Sequence, residues 1–318
     1  ITKQLIDVVH DAGADAVKLI FWFPDEIMSD KTISYSYNTL KGPVTENMYK
    51  MLTELTFTFE QLQEIKEYAD SKGVILFSTV NSPSGIEYAE KLSLEAYKLS
   101  SWDYNYLPLF KEIALKGKPM ILSTGMANME IVKSAVKLVS KINDKIGILQ
   151  CTSTYPAQFS EINLNVLHSY KNEFPDGVIG YSGHEHGIAI PVAAVALGAR
   201  IVERHFTLDR TMKGGDHAVS LEPQGFAKMV RDIHHIEKAM GIFEKEVQES
   251  ELSVFKKLAK SIVSNVDIKA GVRITRDMLT TKGPGSGLNP MQMASLIGKT
   301  VKVSIPMDSV IKEEDILW

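Results

Sequence analysis

Short apolar runs rich in β-branched residues recur along the chain, and a longer stretch of helical periodicity follows each one. The runs fall at 15–20 ("DAVKLI"), 74–79 ("VILFST"), 96–101 ("AYKLSS"), 119–124 ("PMILST"), 147–152 ("GILQCT"), 178–182 ("VIGYS") and 200–206 ("RIVERHF"). Helical spacing is strongest near 59–72, 83–92, 105–117, 128–142, 163–173, 187–198 and 223–240. Alternation of this kind predicts βα units around a parallel sheet. The chain opens on an amphipathic helix with Leu5, Val8, Val9 and Ala12 on one face. If that helix is the first of a barrel, a strand belongs before Ile1 and the count reaches eight. The expected fold is a (β/α)8 TIM barrel lacking its first strand in this chain.

Two segments depart from the alternation. Residues 21–57 form a long insertion after the first visible strand, on the face where barrel enzymes build their sites, and are expected to be a functional or flexible loop. Beyond residue 241 the pattern changes. Residues 242–260 read as a charged linker, and 261–318 as a small, mostly β C-terminal domain with a Gly-Pro turn at 282–287. The expected division is 1–241, 242–260 and 261–318.

Composition narrows the partners. A chain of 318 residues, 44% hydrophobic, can bury a sizeable core, and a net charge of −4 without any basic run argues against nucleic acid. The longest apolar stretch, 187–199, is shorter than the roughly 20 residues a membrane helix needs. No secretory signal is visible, and a single cysteine excludes an internal disulfide, so a cytoplasmic protein is expected. Cys151, as a lone thiol, is read as a core residue.

Polar residues gather where the strands finish: Lys18, Ser78 with Thr79, Lys98 with Ser100 and Ser101, Ser123 with Thr124, Thr152 with Ser153, Ser182 with His184, and Glu203 with His205. In a parallel barrel these ends share one face, so distant residues converge on one cavity. Hydroxyls with two lysines are the chemistry of a phosphate or carboxylate site. His184 and His205 leave neighbouring strands and can reach one ion. With oxygen ligands from substrate and water they suit Mn(II), Mg(II) and Co(II) being alternatives. The competing reading is two rim histidines bonded to carboxylates. His186, in the turn that opens the next helix, is expected to point elsewhere.

The stretches "GADAVK", "KLSS", "GKPMILSTGM", "QCTSTYP", "GYSGH" and "AAVALGARIVERHFTLDRTMKGGDHAVSLEP" resemble the sialic acid synthase family, and the C-terminal domain is similar to the antifreeze-like (SAF) module of those enzymes. The resemblance implies a metal-dependent, phosphoenolpyruvate-condensing transferase that joins phosphoenolpyruvate to N-acetylmannosamine or a related amino sugar. It places phosphoenolpyruvate at Thr79, Lys98, Ser101, Ser123, Ser153 and Ser182, with Lys18 as a further contact. It places the sugar at Tyr155, Glu203 and Asp216, the two carboxylates being the catalytic candidates, and the metal at His184 and His205. His217, beside Asp216, is either a supporting group or a packing residue. The resemblance also implies a homodimer in which the small domain of one subunit covers the barrel of the other.

Three departures from the family pattern stand out. Its first strand ends in a Glu-Ile-Gly-x-Asn-His motif that would precede Ile1; Leu19 and Ile20 replace Phe-Gln after Lys18; and Gly283 replaces an Arg that reaches the sugar's N-acyl group. Rival readings are a 3-deoxy-sugar acid synthase, a Schiff-base aldolase using Lys98, and a non-catalytic sugar-binding protein.

Overall fold

The computed structural model describes residues 1–318. Contacts divide the chain into two compact units, Ile1–Gly241 and Ile242–Trp318.

In chain order the first unit contains α1 (Thr2–Ala12), β1 (Ala16–Ile20), α2 (Pro24–Ile27), β2 (Ser34–Thr39), β3 (Gly42–Asn47), α3 (Met48–Glu54) and α4 (Phe59–Ser71). It continues with β4 (Ile75–Thr79), α5 (Pro83–Lys91), β5 (Tyr97–Leu99), α6 (Leu107–Ala114), β6 (Met120–Ser123) and α7 (Met129–Ser140). It closes with β7 (Ile146–Cys151), α8 (Val166–Glu173), β8 (Val178–Gly183), α9 (Ala189–Ala196), β9 (Ile201–Arg204) and α10 (Pro223–Met240). Four of these helices, α3, α4, α5 and α7, begin where a side chain accepts from a free backbone N–H group. Thr58 and Gln61 form a reciprocal capping box on α4, while Ser82 and Asn128 cap α5 and α7.

Seven parallel strands make one curled sheet in the order β1-β4-β5-β6-β7-β8-β9. Its middle strands are apolar on both faces, β7 being buried along its whole length, as expected of a parallel sheet wrapped in helices. The core runs between sheet and helices through Ile6, Leu62, Ile86, Phe110, Val132 and Leu167. The sheet is that of a TIM-like barrel, open on one side between the edge strands β1 and β9. The outer ring is nonetheless continuous there, because α1 packs against α10. Between them lies a cleft of about 480 Å³ bounded by Lys18, Glu203 and His205 on the inside and by Leu5, Phe226 and Met229 on the outside.

The insertion at 21–57 is not a structureless loop. It holds an antiparallel hairpin, β2 with β3, pairing Ser34–Thr39 with Gly42–Asn47, flanked by α2 and α3. Alternating Tyr and Ser in "SYSYN" is a period-2 pattern, and Tyr37 is buried on one face of the ribbon. The hairpin is tied to the loop after β9 by an ion pair of Lys213 with Glu46 at 2.6 Å, and Tyr37 donates to the same glutamate at 2.6 Å.

In the second unit, the expected charged linker contains the helix α11 (Leu252–Leu258). Two short ladders follow, β10 (Ser261–Ser264) paired to β11 (Leu279–Lys282) and β12 (Thr300–Val301) paired to β13 (Ile316–Leu317), with the one-turn helix α12 (Met293–Leu296) between them and three isolated bridges besides. Ile262, Ile268, Ile274, Leu296, Ile311 and Ile316 form its separate core.

Close packing of β7, β8 and β9 explains one glycine. A Cβ on Gly180 would stand 2.5 Å from the Ile201 carbonyl and 2.4 Å from a Leu149 methyl. Backbone cannot give way as a side chain can, so Gly180→Ala is expected to destabilise the first unit by about 1–3 kcal/mol. Thermal unfolding measures it, and an unchanged midpoint would contradict this packing.

Candidate active site

Parallel pairing sets the strand ends side by side. Ile20 pairs with Thr79, Thr79 with Lys98, Cys151 with Ser182 and Ser182 with Glu203. Alternation then turns Lys18, Lys98, Ser182 and Glu203 to the same side.

Glu203 is the centre of the group. Its Oε1 lies 3.7 Å from Lys98 Nζ and 3.9 Å from Lys18 Nζ, and it accepts from Ser182 Oγ at 3.3 Å. Lys98, only 2% exposed, donates to Ser123 Oγ at 2.7 Å, and Lys18 donates to Thr79 Oγ1 at 3.3 Å. Burial opposes the charge on Glu203, but the two ammonium groups outweigh it and hold the carboxyl down at about 2. Burial also lowers Lys98, with Glu203 pulling the other way. Two cations share one internal carboxylate, so the group is short of one negative charge. This is the electrostatic complement of an anionic ligand.

The imidazoles form the second half. His184 is buried, with Nδ1 2.7 Å from the Thr152 carbonyl and Nε2 2.9 Å from Tyr155 Oη. A carbonyl only accepts, so Nδ1 carries the proton and Nε2 presents its lone pair to the Tyr155 hydroxyl. Burial disfavours the imidazolium of His184, yet the Cys151 sulfur, the Thr152 carbonyl and Glu203 together raise its pKa. The ring of His205 is centred 5.3 Å from that of His184, and its Nδ1 is 3.6 Å from Asp216 Oδ2. Burial holds His205 down at about 4 despite Asp216, so its ring is neutral near pH 7.

Ser101 and Ser153 complete the wall. Both hydroxyls lie by Cys151 Sγ, at 3.7 and 3.9 Å, and crowd Gly125, where a Cβ would stand 2.8 Å from Ser101 Oγ and 2.0 Å from Ser153 Oγ. All twelve residues singled out in the sequence, Lys18, Thr79, Lys98, Ser101, Ser123, Ser153, Tyr155, Ser182, His184, Glu203, His205 and Asp216, thus occupy one region. His186 is exposed and lines a separate hollow with Arg210 and Ser220. His217 bonds Thr207 Oγ1 at 2.7 Å, a packing contact within its loop.

No group of three or more His, Cys, Asp or Glu side chains stands in metal-binding array. The fit to an ion rests on two imidazoles alone. One is oriented by a backbone carbonyl at its far nitrogen, the usual support of a ligating histidine, and the other is kept neutral. The donor set suits a divalent ion that takes its remaining ligands from water or substrate.

The sequence matches the NeuB family over residues 5–245 and the SAF domain over 259–317. The chain belongs to the NeuB family. It is 37% identical to human N-acetylneuraminate-9-phosphate synthase, over 99% of this chain and 88% of that protein. It is 35% identical to the N,N'-diacetyllegionaminic acid synthase of Campylobacter jejuni, over 98% of this chain and 94% of that one. The crystal structure of N-acetylneuraminic acid synthetase from Leptospira borgpetersenii, in complex with citrate, superposes with a TM-score of 0.71 at 29% identity, covering 80% of this chain and 84% of its own. These three relatives are synthases of sialic-type acids. No helix in it is long and apolar enough to cross a membrane.

Sequence reading missed two features of the region. Cys151 is buried, as a core residue would be, and burial raises its thiol, but His184, whose Nδ1 is 3.9 Å away, together with Ser101 and Lys98 brings it below the ordinary value. Asp103, two residues after Ser101, is 7% exposed and its Oδ2 has no hydrogen-bond partner. Burial pushes its carboxyl up to about 7 from the ordinary 3.8. Between those values the native state keeps a proton that the unfolded chain has lost, so this residue makes stability fall as pH rises through the window. Asp103→Asn should remove the effect. The variant should gain on the order of 3 kcal/mol over the natural protein at pH 8 and much less at pH 5. Thermal melts at the two pH values test this; an equal difference at both would place the Asp103 carboxyl near its ordinary value.

Proposed function

We propose that this chain condenses phosphoenolpyruvate with N-acetylmannosamine or a related amino sugar, free or phosphorylated, to give a nonulosonic acid and inorganic phosphate. The observation that carries the reading is the pair of lysines converging on Glu203 beside two imidazoles. It offers an anion site and an electrophile site within one cavity.

Lys98, Lys18, Thr79, Ser101, Ser123, Ser153 and Ser182 hold the phosphate and carboxylate of the enol substrate. C3 of the enol attacks the aldehyde carbon of the open-chain sugar, forming the new C–C bond as the carbonyl π bond opens and its oxygen takes up a proton. Positive charge develops at C2, water adds there, and the C2–O bond to phosphate breaks to leave the ketone. Of the water's two protons, one replaces that taken up by the sugar oxygen and one leaves with the phosphate. Glu203, Asp216 and Tyr155 orient the sugar hydroxyls, and the carboxylates are placed to move protons at those oxygens. A divalent metal, Mn(II) in our reading, would be held by His184 and His205 and would supply Lewis-acid polarisation of the aldehyde oxygen.

The depressed pKa of Lys98 also suits an imine-forming aldolase. Phosphate release from phosphoenolpyruvate, measured over a panel of N-acetylated acceptors, separates the two readings. The condensing enzyme releases phosphate in step with product, whereas borohydride traps a covalent adduct on Lys98 only in the aldolase. In the same assay His184→Ala and His205→Ala should each lose at least about a hundredfold in kcat/KM and most of the Mn(II) retained on dialysis, an effect of the size expected for lost charge stabilisation. His186→Ala should lose little of either. Full activity and metal content in either of the first two would sink the metal reading.

The working unit is proposed to be a cytoplasmic homodimer in which the C-terminal unit of each subunit covers the partner's site. What supports an assembly is the run of large apolar side chains left exposed between 242 and 258, namely Phe243, Val247, Leu252, Phe255 and Leu258. Sedimentation should show a single species of twice the 35.3 kDa chain mass. Monomer alone at micromolar concentration would refute it.

A further inference from the structure

The β8–β9 ladder ends at the pair Gly183 and Arg204, and the next residue on each strand is one of the two histidines. Strand pairing therefore stops just short of the imidazoles. Another set of contacts takes over there, on the opposite face of the sheet.

The Arg204 guanidinium crosses to the turn that carries His184. Its Nη1 donates to Glu185 Oε1 at 2.6 Å and to the Gly187 carbonyl at 2.9 Å, and its Nη2 to the Glu185 carbonyl at 2.5 Å. Tyr181 Oη donates to the other carboxylate oxygen at 2.6 Å. Both charged side chains are sealed, at 1% and 0% exposure. The glycine of the "SGH" motif belongs to the same device, because a Cβ on Gly183 would stand 2.6 Å from Glu185 Oε2.

We propose that the buried Glu185–Arg204 pair is a positioning clamp that sets the separation and orientation of the His184 and His205 imidazoles. Strand alternation points Arg204 away from the cavity that Glu203 and His205 face, so the clamp does not touch substrate. Stability alone does not account for it. A buried ion pair is commonly no more stabilising than apolar side chains of the same volume, and Arg204 Nε is left without a partner. What apolar packing cannot do is fix three acceptors of one turn in a plane, which the guanidinium fork does. Residue 204 precedes one histidine and residue 185 follows the other, so the fork connects the two imidazole-bearing segments directly.

The functional side of this inference rests on reading the two histidines as the metal pair, so the test is arranged to separate the two ideas. Glu185→Gln and Arg204→Lys are made in the full chain, with Tyr181→Phe as a milder third variant that keeps both charges. Mn(II) affinity is read from the free-ion EPR signal, ring geometry from the 15N shifts of His184 and His205, and turnover from phosphate release. The expected result for Glu185→Gln is at least a tenfold weaker Mn(II) Kd, displaced ring shifts for both histidines, and a tenfold lower kcat. The KM for phosphoenolpyruvate should change much less than the Mn(II) Kd, because of the residues read as holding it only Ser182 lies on a clamped strand, while Lys18, Thr79, Lys98 and Ser123 sit on others. Arg204→Lys should move the same readouts in the same direction, and Tyr181→Phe should do so more weakly. A folded Glu185→Gln or Arg204→Lys protein with natural ring shifts and natural Mn(II) Kd overturns the clamp, whether or not its melting temperature falls. If those two do not fold, an unaltered Tyr181→Phe overturns it. If the natural protein binds Mn(II) no better than His184→Ala, the metal reading fails instead, and the ring shifts alone decide the clamp.

Discussion

The parallel register of the curled sheet is the constraint on which the site depends. Each strand is offset from its neighbour so that Thr79 meets Lys98 and Ser182 meets Glu203, and residues more than a hundred positions apart become neighbours at one rim. A one-residue slip in any of these ladders would turn the corresponding polar side chain out of the cavity and an apolar one into it. The energy that prevents the slip lies in the apolar positions between, such as Leu99, Leu122, Ile148 and Tyr181, which are almost completely buried. The site is thus held by a core that contains none of its chemistry.

Within that frame the charges are mutually dependent. Lys98 could not remain buried and charged without Glu203, and Glu203 could not remain ionised there without the two lysines. The arrangement keeps a strong positive field in a place from which water is largely excluded, and leaves it incompletely neutralised. An anionic ligand would complete the balance. The neighbouring imidazoles are affected oppositely: His184 is raised by the groups around it, and His205 is lowered by burial. Two chemically identical side chains, with ring centres 5.3 Å apart, therefore present different electronic character to the same cavity.

Much of this was legible in the sequence because strand patterns and strand-end polarity are local signals. The seven strand runs and the helices between them correspond to observed elements with boundaries shifted by a few residues. The convergence of Lys18, Lys98, Glu203 and the hydroxyls follows from the parallel fold once that fold is inferred. The illegible parts are those set by long-range partners. Residues 21–57 read as a loop because a two-stranded ribbon with mixed faces lacks the strong apolar alternation of a core strand. Residues 252–258 read as linker because their helix leaves its apolar side chains exposed. Asp103 gave no signal, since its shifted carboxyl comes from burial, which only packing reveals. Glu185 and Arg204 were hidden for a different reason. Each stands next to a histidine, and only the fold brings the two charges together on the far side of the wall.

The hairpin bears on what the cavity can accept. Lys213 and Glu46 join it to the loop that carries Asp216, while a Cβ on Gly215 would stand 3.2 Å from the Tyr35 hydroxyl. Tyr35 is half-buried, and burial together with the Asp216 charge raises its phenol pKa. The wall beside Asp216 is thus built by residues of the insertion rather than by the barrel strands. The end of the site that holds Lys18 and Lys98 rests on the sheet, where the parallel register leaves little freedom. Its other end rests on a ribbon joined to the barrel through a few polar contacts and aromatic faces. Changes of side chain in the ribbon can therefore reshape the Asp216 end of the cavity without disturbing the lysines.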